Sequence, residues 1–382
     1  MRPGQLVAYS ALTAAAFFVA GSSAGGASSI SAAKPAVAHR CQAAPDGIPH
    51  AAFSAVAALS AGNAWAVGSI HSARTLIVHW NGRTWTRQPS PSPGGKHGLA
   101  VGLVDVAAVS AGDAWAVGYA DGSSTLILRW NGTGWARVPS PKSAHDGVLL
   151  SVAVTSARDA WAAGRDPHNR AMILHWDGTA WKRVPSPSPK GYTFLSAIAA
   201  SARSDAWAVG YHAPPTFSNT QTLILHWNGH RWTRVDSPAS AKGSALFAVS
   251  TTSDGNAWAV GQTGFNIVGS KPTPLILHWN GTRWKEGHGP ALPNGGVLLG
   301  ITSSPGRALA VGNTSSTYNP NRYGLILRWN GTGWARVPGL PHAQLADVSG
   351  TSPCRAWAVG YTPQPHDQIR SLILRWNGND WR

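Results

Sequence analysis

One tripeptide constrains this chain more than any other feature. Trp80-Asn81-Gly82 recurs at Trp130, Trp176, Trp227, Trp279, Trp329 and Trp376, with Asp177 as the middle residue of the third copy. The successive spacings are 50, 46, 51, 52, 50 and 47 residues. A second tryptophan follows each copy at plus five, at Trp85, Trp135, Trp181, Trp232, Trp284, Trp334 and Trp381. Upstream, Ala-Trp-Ala-Val-Gly or a close variant supplies Trp65, Trp115, Trp161, Trp207, Trp258 and Trp357, while the sixth copy has Leu309 there. All 20 tryptophans of the 382 residues are thus repeat positions. A period of this length implies an array in which each unit buries its faces against its neighbours.

Each unit reads as four strands. In the second these are Leu103–Val109, Ala114–Gly118, Thr125–Trp130 and Trp135–Val138, the last closed by Pro139-Ser140-Pro141. The third is rich in β-favouring residues, and proline suits the exit from an outer strand because it cannot donate to a ladder. Asn131-Gly132 predicts a two-residue type I′ hairpin between strands three and four, since both central residues of that turn need positive φ. The strands are apolar on both faces, as expected when each sheet is covered by a neighbour on either side. The prediction is an all-β, seven-bladed β-propeller of four-stranded antiparallel blades over residues 51–382. The tryptophans then form layers between blades, each burying roughly 150–250 Å².

The run Asp-Ala-Trp-Ala-Val-Gly … Leu-Ile-Leu-His/Arg-Trp-Asn-Gly-Thr-x-Trp … Val-Pro-Ser-Pro is similar to repeats of exported bacterial proteins of the kelch and galactose-oxidase-central-domain-like group. The resemblance covers residues 51–382 and implies a propeller without specifying an activity. Kelch repeats carry a Gly-Gly doublet after the second strand, whereas a single glycine stands here, as at Gly68 and Gly118. The copper site of galactose oxidase, built from Tyr, His and a Cys-modified Tyr, has no counterpart that can be matched residue by residue. No cofactor and no metal are expected.

Residues 1–33 read as an export signal, with Arg2 before an apolar run from Leu6 to Ala20. Small-residue tripeptides Ser22-Ser23-Ala24 and Ala36-Val37-Ala38 put the cleavage site between 24 and 38. The run is too short for a membrane span, no later stretch approaches the ~20 apolar residues a span requires, and Arg40 disfavours a lipid anchor on Cys41. Residues 34–50 form an N-terminal arm. The expected location is secreted or extracellular, which permits a disulfide between the two cysteines, Cys41 and Cys354. That bond would fasten the arm to the last blade, beside the first, in a ring for which the sequence offers no crossing strand. Two cysteines are too few for a disulfide scaffold or a multi-cysteine metal site.

Lys and Arg number 31 against 15 Asp and Glu. The loop between strands two and three holds seven residues in units one to three, but 12, 13, 12 and 11 in units four to seven. The longer loops bring Tyr211, His212, Phe217, Phe265, Lys271, Tyr318, Arg322, Tyr323, Tyr361, His366, Asp367 and Arg370, and all but Asp367 are candidate ligand-binding residues. In a meander blade these loops share a face with the inter-blade connections, which carry Lys96, Lys142, Lys190 and Lys242. A basic face with aromatic residues suits an extracellular polysaccharide, another anionic polymer or a protein. Nucleic acid is not expected, because no nucleic-acid-binding signature is present, and a monomer is expected.

Catalytic constellations are sparse. A glycosidase needs two carboxylates across a cleft, and Asp105 and Asp347 occupy equivalent innermost-strand positions, though in units two and seven. Asp113, Asp159 and Asp205 are expected to brace their own turn backbones. His79, His175, His226 and His278 alternate with Arg129, Arg328 and Arg375 before the tripeptide, an interchange that favours packing or solubility over metal binding. The sequence therefore points to a non-catalytic binding or scaffold propeller. The alternative is a carbohydrate-active lyase or hydrolase with its site at the channel mouth.

Overall fold

A computed structural model of the chain describes residues 48, 50–93, 100–216, 219–238, 243–265, 267, 271–314, 323–338, 342–352, 355–364, 368–376 and 380–381. Both cysteines, the export signal, Lys96, Phe217, Lys242, Tyr318, Arg322, His366 and Asp367 lie outside these residues. The chain forms seven antiparallel blades, each made from consecutive strands. The innermost strands are Ala51–Ser60, Gly102–Ser110, Val148–Ser156, Tyr192–Ala202, Ser244–Ser253, Gly296–Ser304 and Gln344–Ser352. In the seventh blade the fourth strand is the isolated bridge of Trp381 to Trp376. Among the described residues the one helical element is a 3₁₀ turn at Lys142–Ala144, and no helix is long and apolar enough to cross a membrane.

The tryptophans explain the radial packing. Trp65 on the second strand of blade one sits 5.1 Å from Trp130 and 5.2 Å from Trp135 of blade two, measured between ring centroids. Trp115 meets Trp176 and Trp181 in the same way, and the arrangement repeats through Trp258, Trp329 and Trp334. Within each triad the outer-strand indole is edge-on, the geometry that aligns ring edge with ring face. The third-strand indole has a second task. Trp80, Trp130 and Trp279 donate Nε1–H to the carbonyls of Ala61, Ala111 and Asp254, clamping the first hairpin turn of their own blade.

The ring closes with the same device. Trp357 of blade seven packs at 5.0 Å from both Trp80 and Trp85 of blade one, and one apolar cluster joins Trp357, Val359 and Ile373 to Phe53, Val56 and Leu76. Among the described residues no strand is exchanged. In blade six Leu309 takes the tryptophan position and packs with Trp376 and Trp381.

Two local structures differ from expectation. The Trp-Asn-Gly segment is not a two-residue hairpin, because Trp80 pairs with Trp85 across a four-residue loop. Of Asn81 and Gly82, only Gly82 has positive φ, at 95°. Asn81 instead turns its side chain back, and Oδ1 accepts from the N–H groups of Arg83 and Thr84, which also explains why Asp177 serves in blade three. The glycine of Ala-Trp-Ala-Val-Gly is also fixed by packing. Each innermost strand carries a bulge opposite it, and a Cβ on Gly68, Gly118, Gly164, Gly210, Gly261, Gly312 or Gly360 would meet an inner-strand carbonyl oxygen at 1.9–2.1 Å.

Candidate functional site

The same bulges build the centre of the ring. A bulge sets two residues against one and re-aims the extra side chain. Here the extra residues are Ser54, Val104, Leu150, Ser196, Phe247, Leu299 and Ala346, and all seven line a central cavity of about 260 Å³. In blades seven, two and three the next residue along the strand reaches toward the following blade. Asp347 Oδ2 accepts from Val56 N–H of blade one at 3.0 Å. Asp105 Oδ2 accepts from Val152 N–H at 2.8 Å and Ser151 Oγ–H at 2.7 Å in blade three. Ser151 Oγ in turn accepts from Ile198 N–H of blade four. The two carboxylates thus satisfy backbone donors that point into a largely apolar channel.

Their electrostatics follow from that setting. Burial pushes the Asp105 carboxyl up, opposed by its three hydrogen-bond donors. Burial and the nearby Asp105 charge push Asp347 up to about 7. Blade six accommodates Asp347 with glycine, since a Cβ on Gly300 would lie 2.9 Å from Asp347 Oδ1. A carboxyl raised in the fold holds its proton in the native state at pH values where the unfolded chain has lost it. The contribution of Asp347 to stability therefore falls as pH rises from about 4 to about 7 and is level above that. Asp347→Asn keeps an acceptor for Val56 and has no proton to lose. Its melting temperature is expected to fall less than that of the wild type over this window. An equal decline in both proteins would locate the pH dependence elsewhere.

The outer carboxylates do something different from bracing turns. Asp113 forms a two-point pair with Arg129 at 2.9 and 3.0 Å. His175 and His226 each hydrogen-bond through Nε2 to Asp159 and Asp205 at 2.7 Å. Asn63 and Asn256 receive His79 and His278 equivalently. Each imidazole lies over the second-strand indole at 4.0–4.2 Å, and Arg129 lies over Trp115 at 4.9 Å. His and Arg are interchangeable because either can stack on tryptophan while reaching the same acceptor. The turns themselves are braced by serine, with Ser60 and Ser110 Oγ accepting from Gly62 and Gly112 N–H.

The opposite face carries the long loops. Second-to-third-strand loops are hydrogen-bonded to the inter-blade connections, as in Val101 N–H to Ser72 O and Gly296 N–H to Pro272 O. Tyr211 and His212 extend the second strand of blade four, which runs to Ala213. Tyr211 is fully buried, 4.9 Å from Phe194 and edge-on to Phe265 at 5.0 Å. Phe265 continues to Phe247 in the channel wall. An aromatic seam between blades four and five therefore runs from the loop face to the cavity, flanked by the Arg165 guanidinium 5.7 Å from Phe194. His212 is half-buried, and burial followed by the Arg234 charge holds its pKa down.

Tyr361 is half-buried and donates to Gln344 Oε1. Lys271 and Arg370 are exposed. Tyr323 is 42% exposed and stacks on His342 at 6.2 Å. Ile267, 40% exposed in the loop of blade five, escaped sequence reasoning because an isolated isoleucine has no distinguishing pattern. Phe194 and Phe247 also escaped it, because no local residue reports the bulge that turns Phe247 into the channel.

No protein-family model matches the chain, and no curated protein resembles it in sequence. Solved structures do match in shape. YCF48 bound to a D1 peptide is 14% identical, with 88% of this chain and 99% of that chain covered at a TM-score of 0.53. An ulvan lyase of polysaccharide lyase family PL25 is 10% identical, covering 89% and 94% at 0.59. The same lyase bound to -[GlcA(1-4)Rha3S]- covers 84% and 91% at 0.56, also at 10% identity. At these identities the likeness shows the fold alone, that of a β-propeller.

Proposed function

We propose that this chain is a secreted binding or scaffold propeller. It recognises an extracellular or cell-envelope polymer, or a protein, on the face bearing the long loops of blades four to seven. The observation that carries this reading is the position of Ile267 and Tyr323. They are the large apolar side chains exposed among the described residues, and both belong to long loops, whose face also carries exposed Lys271 and Arg370. Exposed apolar groups among cations suit a ligand that offers flat apolar surface and negative charge. Propellers of this shape are seen holding a peptide in YCF48 and a uronate-containing sulfated saccharide in the lyase, so both ligand classes fit the architecture. The export reading of residues 1–33 and a Cys41–Cys354 bond belong to the same proposal. Mass spectrometry of unreduced peptides tests the bond, and two free thiols would refute it.

Binding to anionic glycans and cell-wall fractions, measured at low and high salt, tests the central claim. Binding is expected to weaken as salt rises, and Lys271→Ala and Tyr323→Ala should each weaken it several-fold. Binding indifferent to salt and to both substitutions would refute the assignment. A second reading, a lyase or hydrolase working at the channel mouth, draws on the raised Asp347 carboxyl beside Asp105. Glycan turnover abolished by Asp347→Asn would establish it.

A further inference from the structure

Blades one to five share an internal pair in which the residue opening the second strand accepts from the residue before the third-strand tryptophan. In blade six both positions are arginine, Arg307 and Arg328. The register is unchanged, with Leu309 opposite Arg328 as Trp115 is opposite Arg129. A guanidinium carries donors and no acceptor, so the two cannot satisfy one another, and like charges so placed repel. Neither has a hydrogen-bond or ion-pair partner among the described residues.

Blade six also lacks the indole on which its sisters stack this side chain. Leu309 stands there, and the smaller residue leaves a cleft of about 20 Å³ beside both arginines. Thr302, Ser303 and Ser304 line its wall, and Gly350 bounds it from blade seven. Of its lining residues, Arg307 and Arg328 carry guanidinium groups, Thr302, Ser303 and Ser304 carry hydroxyls, with Ser303 Oγ already bonded to Ser250 Oγ, and none carries a carboxylate. Blade seven repeats the double arginine at Arg355 and Arg375. There, however, Arg375 lies over Trp357 and Trp80, so blade seven keeps the indole that blade six lacks.

We propose that blade six holds an oxyanion site, in which Arg307 and Arg328 grip a single carboxylate, sulfate or phosphate group where sister blades hold an internal oxygen. The planar fork of arginine matches such groups with two hydrogen bonds. At about 20 Å³ the cleft has no room for a sugar ring. It opens beside the first hairpin turn, on the face opposite the long loops, so it is distinct from the surface proposed above.

Inorganic sulfate, titrated against chloride at matched ionic strength, tests the site in the full chain by calorimetry and thermal shift. Saturable binding at one site is expected in the wild type, weakened at least about tenfold in Arg307→Gln and Arg328→Gln. Arg355→Gln in blade seven should leave the affinity unchanged. Arg307→Asp recreates the pairing of Asp113 with Arg129, so it should abolish sulfate binding while raising the melting temperature. A non-saturating response shared by wild type and Arg307→Asp, or undiminished sulfate affinity in Arg307→Asp, would overturn the proposal.

Discussion

Gly210→Ala is expected to cost upwards of about 3 kcal/mol or to prevent folding outright. The added Cβ would sit 1.9 Å from Phe194 O, less than the sum of any two van der Waals radii, with Leu195 Cα at 3.0 Å behind it. No rotamer relieves a clash between Cβ and backbone, so the innermost strand would have to move. That strand carries the bulge residue Ser196, which lines the channel, and Ile198, which is hydrogen-bonded to blade three. The damage should therefore spread beyond the site of substitution. Gly134→Ala is the control, since its Cβ would meet nothing within 4 Å, and its effect should be small. Urea unfolding of the two variants separates them. A Gly210→Ala protein as stable as Gly134→Ala would mean the bulge can flatten without loss.

Trp357→Ala is the second large effect. Deleting a buried tryptophan side chain costs roughly 3–5 kcal/mol through lost burial and the cavity left behind. At Trp357 that loss falls on the contact between blade seven and blade one, where two indoles at 5.0 Å lose their common partner. Trp115→Ala removes an equivalent triad between blades two and three, where the chain itself still links the blades. Both should unfold at lower urea. Only Trp357→Ala should also speed hydrogen exchange along the innermost strands of blades one and seven before global unfolding. Equal exchange in both variants would show that closure is no weaker than any internal interface.

The ring was legible because its packing is made by one residue type at a fixed interval. Tryptophan is rare enough that seven aligned copies of a tripeptide fix both the blade count and the strand order. What remained hidden depends on geometry across the ladder. The single glycine looks like a departure from the kelch pattern, yet its cause is a bulge on the strand opposite, and no local residue reports that bulge. Asp113 and Arg129 lie 16 residues apart, and a turn-bracing role for the aspartate is the natural local reading. Only the register of strands two and three shows them to be partners. Tyr211 illustrates the limit for function. A tyrosine after a glycine in a lengthened segment reads as a loop residue, whereas the strand runs on and buries it against Phe194. Tyr323 and Lys271 kept the exposure that their loop position implies.

Closure without an exchanged strand among the described residues has a consequence for how the molecule forms. Each blade comes from one contiguous stretch of sequence, so it has its pairing partners as soon as that stretch leaves the ribosome. Most inter-blade contacts join neighbours in sequence, whereas the bond from Val56 to Asp347 spans 291 residues. Assembly can therefore proceed as successive short-range steps followed by one long-range docking, in which the entropy of closing the largest loop is met by a single interface. Until then the first and last blades each expose an apolar flank, and the nascent arc is a sticky, unfinished surface that must find its own other end before it finds another chain.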